Sequence, residues 1–194
     1  KGKVDINAPA KYNLSVIAMS MSRSIEDLTV VILDRPRHEA LIREVRETGA
    51  RIKLISDGDL MPAISTAIHG TGIHAVMGAG GAPEAVLTAA AVKCLGGEIQ
   101  AKFKWRSAEE KARAATMGVD VSDDEKVYTT EELAPGEEIV FAACGITTGD
   151  LLKGVNYFGT GARTHSLILT YKSGLIRFVD TIHSNPEKRG LIEL

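Results

Sequence analysis

The sequence predicts a mixed α/β protein in which helices and sheets are arranged in layers. Two observations support this prediction. Short apolar runs alternate with amphipathic segments as far as residue 117, and three strand-like runs crowd into the last third. At 194 residues, the chain is long enough for one substantial domain. A chain of this size buries roughly 70% of its unfolded surface, so it needs no disulfide or structural zinc to fold.

The first predicted unit is a strand, a helix and a second strand. Residues 28–33 form a Val- and Ile-rich run that suits a strand buried on both faces. Pro36 favours a helix start, and residues 38–48 place their apolar side chains on one helical face. Gly49 favours a helix stop, and residues 51–55 read as the next strand. This order implies a right-handed parallel crossover.

The middle of the chain repeats the pattern. A short helix is predicted over 60–68 and a short strand over 73–77. The alanine-rich segment from Pro83 to the glycines at 96–97 favours a helix. Alternating residues predict a strand over 98–105, and the charged segment 107–117 predicts an amphipathic helix.

The last third changes character. Residues 120–137 are acidic and polar. Three strand-like runs follow at 140–146, 164–172 and 174–182. The sequence Lys-Ser-Gly at 172–174 favours a tight hairpin turn between the last two runs.

Composition excludes several function classes. Lys and Arg number 23 and Asp and Glu 25, for a net charge of −2, which gives no basic field for nucleic acid and no polybasic membrane patch. Cys94 and Cys144 form no CxxC motif, and no apolar run approaches the roughly 20 residues of a membrane span. We therefore expect no disulfide framework, no nucleic-acid or membrane partner, and a reducing, cytoplasmic location.

The first residue is Lys1, and no signal-peptide pattern follows. We expect the sequence to start inside a longer protein.

Arg35, Pro36 and Arg37 form the first candidate site, directly after the first predicted strand. Ligands of α/β proteins gather beyond the carboxyl ends of strands. Two guanidinium groups at a stiff helix start suit phosphate oxygens. The alternative is a solvated loop whose arginines pair with Asp34 or Glu39.

Asp57, Gly58 and Asp59 form the second candidate site. Two carboxylates separated by a glycine can bind sugar hydroxyls or a divalent cation, and the glycine permits close backbone approach. In the alternative interpretation, Asp57 bonds its own backbone in a turn and Asp59 caps the following helix.

The glycine-rich segment 78–82 forms the third candidate site. Such a loop running into a helix presents backbone N–H groups to an anion. A dinucleotide fingerprint is a weak match because Pro83 replaces the last glycine. Glu84 falls in the first helical turn, where it either complements the helix dipole or faces the ligand as a metal carboxylate.

Other reactive residue types carry less information. Cys94 is expected to be a small buried hydrophobe within a helix. Residues 160–165 are polar and glycine-flanked, and we expect a loop near a site. The histidines lack metal-ligand spacing and are expected to be structural or exposed; they are His38, His69, His74, His165 and His183.

The three candidate segments together resemble class II fructose-1,6-bisphosphatase. The motifs RPRH, DGD and GGAPE occur in the order and spacing of that family, and the CGIT and THSL segments continue the resemblance through the chain. The resemblance implies a layered α-β-α-β-α fold, as in the fructose-1,6-bisphosphatase and inositol monophosphatase superfamily. It implies that Glu84 is a metal ligand for Mn²⁺ or Mg²⁺. The substrate-binding residues it implies are Arg35, Pro36, Arg37, Asp57, Gly58, Asp59 and Gly81.

The function that the resemblance implies is metal-dependent hydrolysis of fructose 1,6-bisphosphate to fructose 6-phosphate and phosphate, a step of gluconeogenesis. Sedoheptulose 1,7-bisphosphate is the second substrate to consider. We also expect a homo-oligomer, a dimer or a tetramer.

Roughly the first two-fifths of a family member has no counterpart here, and that part carries the other acidic metal ligands. Residues 1–194 are therefore expected to form one compact C-terminal unit completed by upstream sequence, with no catalytic residue assigned within it and no activity alone. The alternatives are a non-catalytic module that binds a sugar phosphate or nucleotide, and a segment that folds poorly by itself.

Overall fold

The computed structural model describes residues 1–159 and 161–184. The helices are α1 Ala10–Ser20, α2 Glu39–Glu47, α3 Leu60–Ser65, α4 Ala82–Cys94, α5 Ala108–Thr116 and α6 Thr130–Leu133. The strands are β1 Thr29–Leu33, β2 Arg51–Ile55, β3 Ala75–Val76, β4 Gln100–Ala101, β5 Tyr128–Thr129, β6 Val140–Cys144, β7 Asn156–Phe158, β8 Gly161–Thr170 and β9 Leu175–Ser184. Within these described ranges, no helix combines the length and apolarity needed to cross a membrane.

A parallel sheet in the order β2-β1-β3 forms the first half of the structure. In its register Val30 pairs with Ile52 and Val31 with Val76. The predicted strands at 28–33 and 51–55 and their parallel crossover are confirmed. β1 is central, and because successive side chains point to opposite faces, its buried residues Val30, Val31 and Ile32 cover both.

Helices α1 and α2 cover one face of this sheet. Their buried residues, among them Leu14 and Val45, pack with Val30 and Ile32 in one apolar cluster. The periodicity of α2 was predicted, whereas α1 was not. The hydrophobic face of α1 is weak because alanine, serine and methionine fill much of the helix.

A second, antiparallel sheet is built around β8. β6 and β7 pair with one edge of β8 and β9 with the other, so that Ala143, Leu167 and Phe178 lie side by side. The predicted hairpin is confirmed: the N–H of Gly174 donates to the carbonyl of Tyr171 at 3.1 Å. The loop predicted over 160–165 is wrong, because 161–165 begin β8 and pair with β9; Thr160 lies outside the described residues.

Helices α3 and α4 lie between the two sheets. α3 contacts β3 and α4, and α4 in turn contacts β6 and β8. Ile64 and Ala91 from these helices pack with Phe141, Leu167 and Leu169 in a second apolar cluster. The described residues therefore stack helices, parallel sheet, helices and antiparallel sheet in that order, and the mixed, layered α/β prediction is confirmed.

The strand predicted over 98–105 is wrong beyond Gln100–Ala101. Among the described strands only β5 pairs with this segment, and that pairing covers two residues. The next residues are held by their rings instead. Phe103 stacks on Trp105 with 4.5 Å between ring centroids and meets Tyr128 edge-on. The alternating sequence at 98–105 thus places aromatic rings in a cluster and does not form a longer strand.

The far end of α4 is fixed by a buried lysine. Lys93 Nζ donates to the carbonyl oxygens of Ala134 at 3.0 Å and Gly136 at 2.8 Å. It also forms an ion pair with Glu131 and lies over the ring of Tyr171. A buried ammonium must be compensated in this way, so the axis of α4 is held firmly relative to the loop after α6.

His74 generates a pH prediction for folding. Its Nδ1 accepts the backbone N–H of Thr29 at 2.9 Å. Burial, together with Arg23 and Arg51, lowers the pKa of His74 below its ordinary value of 6.5, and Asp27 opposes them weakly. Above pH 6.5 both folded and unfolded states hold a neutral ring. As the pH falls below 6.5, the unfolded state takes up the proton first, so stability decreases.

His74→Asn keeps a side-chain acceptor and removes the titration. We expect its free energy of unfolding to fall less than that of the wild type between pH 7.5 and pH 5.5. Urea denaturation of both proteins at the two pH values measures the difference. Equal losses in the two proteins would contradict the role assigned to His74.

Candidate active site

Three loops at the carboxyl ends of β1, β2 and β3 surround one cleft of about 340 Å³. The loops are residues 34–38, 56–59 and 77–81. Seven of the eight residues singled out from the sequence line the cleft: Arg35, Arg37, Asp57, Gly58, Asp59, Gly81 and Glu84. Pro36 is the exception, because it lies in the turn between the two arginines rather than along the wall. Leu33, Leu60 and Gly80 complete the lining.

The Arg-Pro-Arg segment leaves β1 as an extended residue followed by a 3-10 turn over Pro36–His38. Asp34 continues the sheet, with its N–H donating to the carbonyl of Ile55 at 2.8 Å. Arg35 Nη1 donates to the carbonyl of Asp34 at 3.0 Å. Within the described part of the chain, neither arginine forms an ion pair with Asp34 or Glu39, so the alternative of a charge-paired loop is wrong.

The two arginines differ in their contacts. Arg37 donates through Nε at 3.2 Å and Nη2 at 2.7 Å to the carbonyl oxygen of Ala79, in the glycine loop. Among the residues that the structure describes, Arg35 donates only to the backbone next to it. Arg35 therefore keeps most of its donors for a ligand, whereas Arg37 already links two walls of the cleft.

His38 was not singled out as a site residue from the sequence, yet it lies directly behind the cleft. It is 3% exposed. Its Nδ1 is 2.8 Å from the carbonyl oxygen of Leu33, and its Nε2 accepts the N–H of Ala79 at 2.9 Å. The expectation that His38 is structural agrees with this burial. Its place in the turn that follows a buried strand was the sequence signal that could have marked it.

The Asp-Gly-Asp segment leaves both carboxylates available. Gly58 has φ of +79°, a conformation that favours glycine. Asp59 precedes α3 but makes no side-chain capping bond, and no described side chain or backbone group bonds the Asp57 carboxylate. The alternative, in which Asp57 bonds its own backbone and Asp59 caps the helix, is therefore not observed among the described residues.

The glycine loop is pressed against its neighbours. A Cβ on Gly80 would lie 2.6 Å from Asp59 Oδ2, and a Cβ on Gly81 would overlap Glu84 Oε2. Gly81 is the N-cap of α4, and Glu84 is the third residue of that helix. The two glycines thus allow two carboxylates from different elements to approach the same stretch of backbone.

The donor set was tested against the metal that the family resemblance implies. Glu84 offers the hard oxygen ligands that Mg²⁺ and Mn²⁺ take. Across residues 1–159 and 161–184, however, no three His, Cys, Asp or Glu side chains converge as a metal site would require. The described residues do not form a metal centre by themselves.

Charge is divided across the cleft. Arg35 and Arg37 supply positive charge from the loop after β1. Asp57 and Asp59 supply acceptors from the loop after β2, and Glu84 supplies another from the first turn of α4. Guanidinium groups pair with phosphate oxygens, and carboxylates accept hydrogen bonds from hydroxyls. The arrangement suits a small ligand with an anionic end and a polyhydroxylated body.

The chain is similar in sequence to several known proteins. The chain is 48% identical to the D-fructose 1,6-bisphosphatase class 2/sedoheptulose 1,7-bisphosphatase of Synechococcus sp. (strain JA-2-3B'a(2-13)), over 98% of this chain and 58% of the relative. It is 50% identical to proteins with the same description from Acaryochloris marina and Crocosphaera subtropica, over 94% of this chain and 56% of each relative. The chain thus spans a little over half the length of these relatives.

A family profile described as bacterial fructose-1,6-bisphosphatase, glpX-encoded, matches residues 1–183. That match covers every loop of the cleft, and it confirms the resemblance drawn from the RPRH, DGD and GGAPE motifs. The chain belongs to the bacterial fructose-1,6-bisphosphatase family.

Proposed function

We propose that the protein carrying this chain hydrolyses the 1-phosphate of fructose 1,6-bisphosphate and releases fructose 6-phosphate and inorganic phosphate. The observation that carries the proposal is the division of charge in the cleft, with arginines on one wall and carboxylates on the other. A sugar bisphosphate has the matching pattern, because phosphates flank a chain of hydroxyls. Water supplies the oxygen that replaces the broken P–O bond, and the sugar oxygen leaves with a proton.

Arg35 would hold the 6-phosphate, the one that is not cleaved. Binding energy from such a remote group orients the reacting end of the substrate. Asp57 and Asp59 would accept hydrogen bonds from sugar hydroxyls, and the backbone at Gly58 and Gly81 would approach the sugar closely. This places the 1-phosphate toward Glu84.

Sedoheptulose 1,7-bisphosphate is proposed as a second substrate. The relatives' names couple both activities. Its extra carbon lengthens the sugar without changing the groups that the cleft would contact. The long side chain of Arg35, which is half-buried at the cleft, would follow a phosphate placed slightly farther away.

Glu84 would provide one ligand to Mn²⁺ or Mg²⁺. When bound, such an ion supplies charge stabilisation to a phosphoryl oxygen. The proposed setting is the cytoplasm, where sugar bisphosphates are made and used, and the proposed assembly is a homodimer or homotetramer.

A non-catalytic sugar-phosphate or nucleotide-binding module is the second candidate. The scarcity of convergent metal ligands among the described residues favours it. The two functions differ in turnover: a binding module would hold fructose 1,6-bisphosphate and release no phosphate.

The deciding experiment measures phosphate release by the protein carrying this chain, with Mn²⁺ or Mg²⁺ present. Substrates are fructose 1,6-bisphosphate and sedoheptulose 1,7-bisphosphate, and fructose 6-phosphate is the control that lacks the reacting group. Release from the bisphosphates alone supports the proposal. Calorimetric binding of fructose 1,6-bisphosphate with no release would favour the binding module.

The first site prediction separates the two arginines. Arg35→Ala removes a phosphate contact and leaves every described contact between loops intact. A lost charge-assisted hydrogen bond costs on the order of 1.5–3 kcal/mol, so KM should rise about tenfold or more. Arg37→Ala should raise KM and also lower kcat, because the glycine loop loses a support. Steady-state kinetics measures both.

Arg43→Ala is the matched control, since Arg43 lies on the exposed side of α2, away from the cleft. It should leave both constants unchanged. A normal KM in Arg35→Ala would remove Arg35 from the site.

The second site prediction concerns Gly80. Its backbone lies outside the left-handed region, so alanine introduces no φ strain, but its Cβ would displace the Asp59 carboxylate. We expect Gly80→Ala to keep the melting temperature and to lose roughly tenfold or more in kcat/KM. Gly159→Ala, whose Cβ would meet nothing within 4 Å, is the control. Comparable kinetics in both variants would show that Asp59 does not depend on this close approach.

The third site prediction concerns Glu84. As a helix-dipole partner only, Glu84→Gln should cost about 0.3–1 kcal/mol of stability and leave turnover mostly intact. As a metal ligand, it should keep the fold and lose several orders of magnitude in kcat, because the metal is lost or displaced. We expect the second result.

Melting temperature and kcat at saturating Mn²⁺ distinguish these outcomes. Glu109→Gln, in the first turn of α5, controls for the dipole effect. If Glu84→Gln retains more than roughly a tenth of kcat, a barrier change under about 1.4 kcal/mol, Glu84 is not a ligand.

A further inference from the structure

We infer that His38 is a positioning residue, which holds the glycine loop, residues 78–81, in the shape that the cleft requires. The inference deepens the proposed function and rests on it, since this loop is where the proposed substrate and Glu84 meet. His38 would act through the loop backbone rather than by touching the substrate.

The hydrogen bonds of His38 indicate which ring nitrogen carries the hydrogen. The backbone N–H of Ala79 donates to Nε2 at 2.9 Å, so Nε2 carries no hydrogen. Nδ1 lies 2.8 Å from the carbonyl oxygen of Leu33, which can only accept, so Nδ1 carries the hydrogen. The geometry therefore assigns the Nδ1–H tautomer, and both ring nitrogens are used. It joins the last residue of β1 to the glycine loop.

Arg37, the residue before His38, holds the same loop residue. Its Nε and Nη2 donate to the carbonyl oxygen of Ala79, whose N–H is bound by His38. Ala79 belongs to no helix or strand. Two consecutive residues of one turn thus bind both backbone polar groups of Ala79. We call these contacts the Ala79 clamp.

The packing around the ring explains how the Ala79 clamp would affect the cleft. Gly78 has φ of +139°, and a Cβ there would lie 3.1 Å from both Cε1 and Nε2 of His38. The loop backbone therefore rests directly on the imidazole. Gly80 and Gly81 follow immediately and press against Asp59 and Glu84. A shift of the ring would move the loop, and with it two carboxylates of the cleft.

Two amide substitutions separate positioning from simple core filling. In His38→Asn the side-chain amide can replace Nδ1 as donor to Leu33, but it is too short to reach Ala79. In His38→Gln the amide oxygen can take the place of Nε2 and accept the N–H of Ala79. If His38 only filled space, the two variants would behave alike.

The first measurement tests the geometry without any activity. The nitrogen chemical shifts of the His38 ring should report the Nδ1–H form. The amide of Ala79 should exchange slowly with solvent in the wild type and in His38→Gln, and fast in His38→Asn. An Nε2–H ring, or equally slow exchange in all three proteins, would overturn the inference.

The second measurement tests the consequence for fructose 1,6-bisphosphate hydrolysis. His38→Asn should lose about tenfold to a hundredfold in kcat/KM, and His38→Gln should recover most of the loss. Leu14→Ala, at a buried core position of α1, is the control for general destabilisation. Assayed below its melting temperature, it should keep the wild-type kcat/KM. If His38→Asn matches Leu14→Ala, the residue is structural and the inference is wrong.

The two failures can be told apart. If the wild type neither binds nor hydrolyses fructose 1,6-bisphosphate, the proposed function fails. The ring signal and the exchange of the Ala79 amide would then still decide whether the clamp exists.

Discussion

Burial of β1 on both faces is the constraint on which the rest of this structure depends. A strand with no exposed face needs apolar layers above and below it, and parallel neighbours on either edge. Helices α1 and α2 supply one layer, and α3 and α4 complete the other side. Because all three strands of this sheet are parallel, their carboxyl ends meet at one edge. The loops that follow these strands therefore surround a common cleft.

The parallel sheet could be predicted from the sequence because its signals are local. The run at 28–33 is too apolar to have an exposed face, and the apolar residues of α2 recur at helical spacing. The same reasoning put the arginines and the Asp-Gly-Asp segment at strand ends and Glu84 in the first turn of a helix. The roles of the individual residues were less accessible. That Arg37 binds Ala79 while Arg35 does not depends on a contact between residues 42 positions apart.

The failures have physical causes too. An alternating run at 98–105 carries a strand signal, but a strand needs a partner, and β5 offers only two residues. Residues 161–165 contain glycine and polar side chains and look like a loop, yet β9 pairs with all of them. In both segments, pairing with a distant strand determines whether a strand forms. Such pairing cannot be recognised from a window of about ten residues. The sequence shows that residue 38 is a histidine but not which backbone groups contact its two ring nitrogens. Its proposed role depends on those contacts.

The antiparallel sheet contributes to the cleft only through α4. No residue of β6, β7, β8 or β9 lines the cleft. Phe141, Leu167 and Leu169 nevertheless pack against Ala91 in the middle of α4, and Lys93 ties the end of that helix to the backbone at 134–136. The N-terminus of α4 carries Gly81 and Glu84. It is held from the other side by the glycine loop, which rests on His38. Because α4 is held at both ends, its packing on the second sheet determines where the Glu84 carboxylate lies in the cleft. The antiparallel sheet therefore supports the cleft through the packing of α4, although none of its own strands lines the cleft.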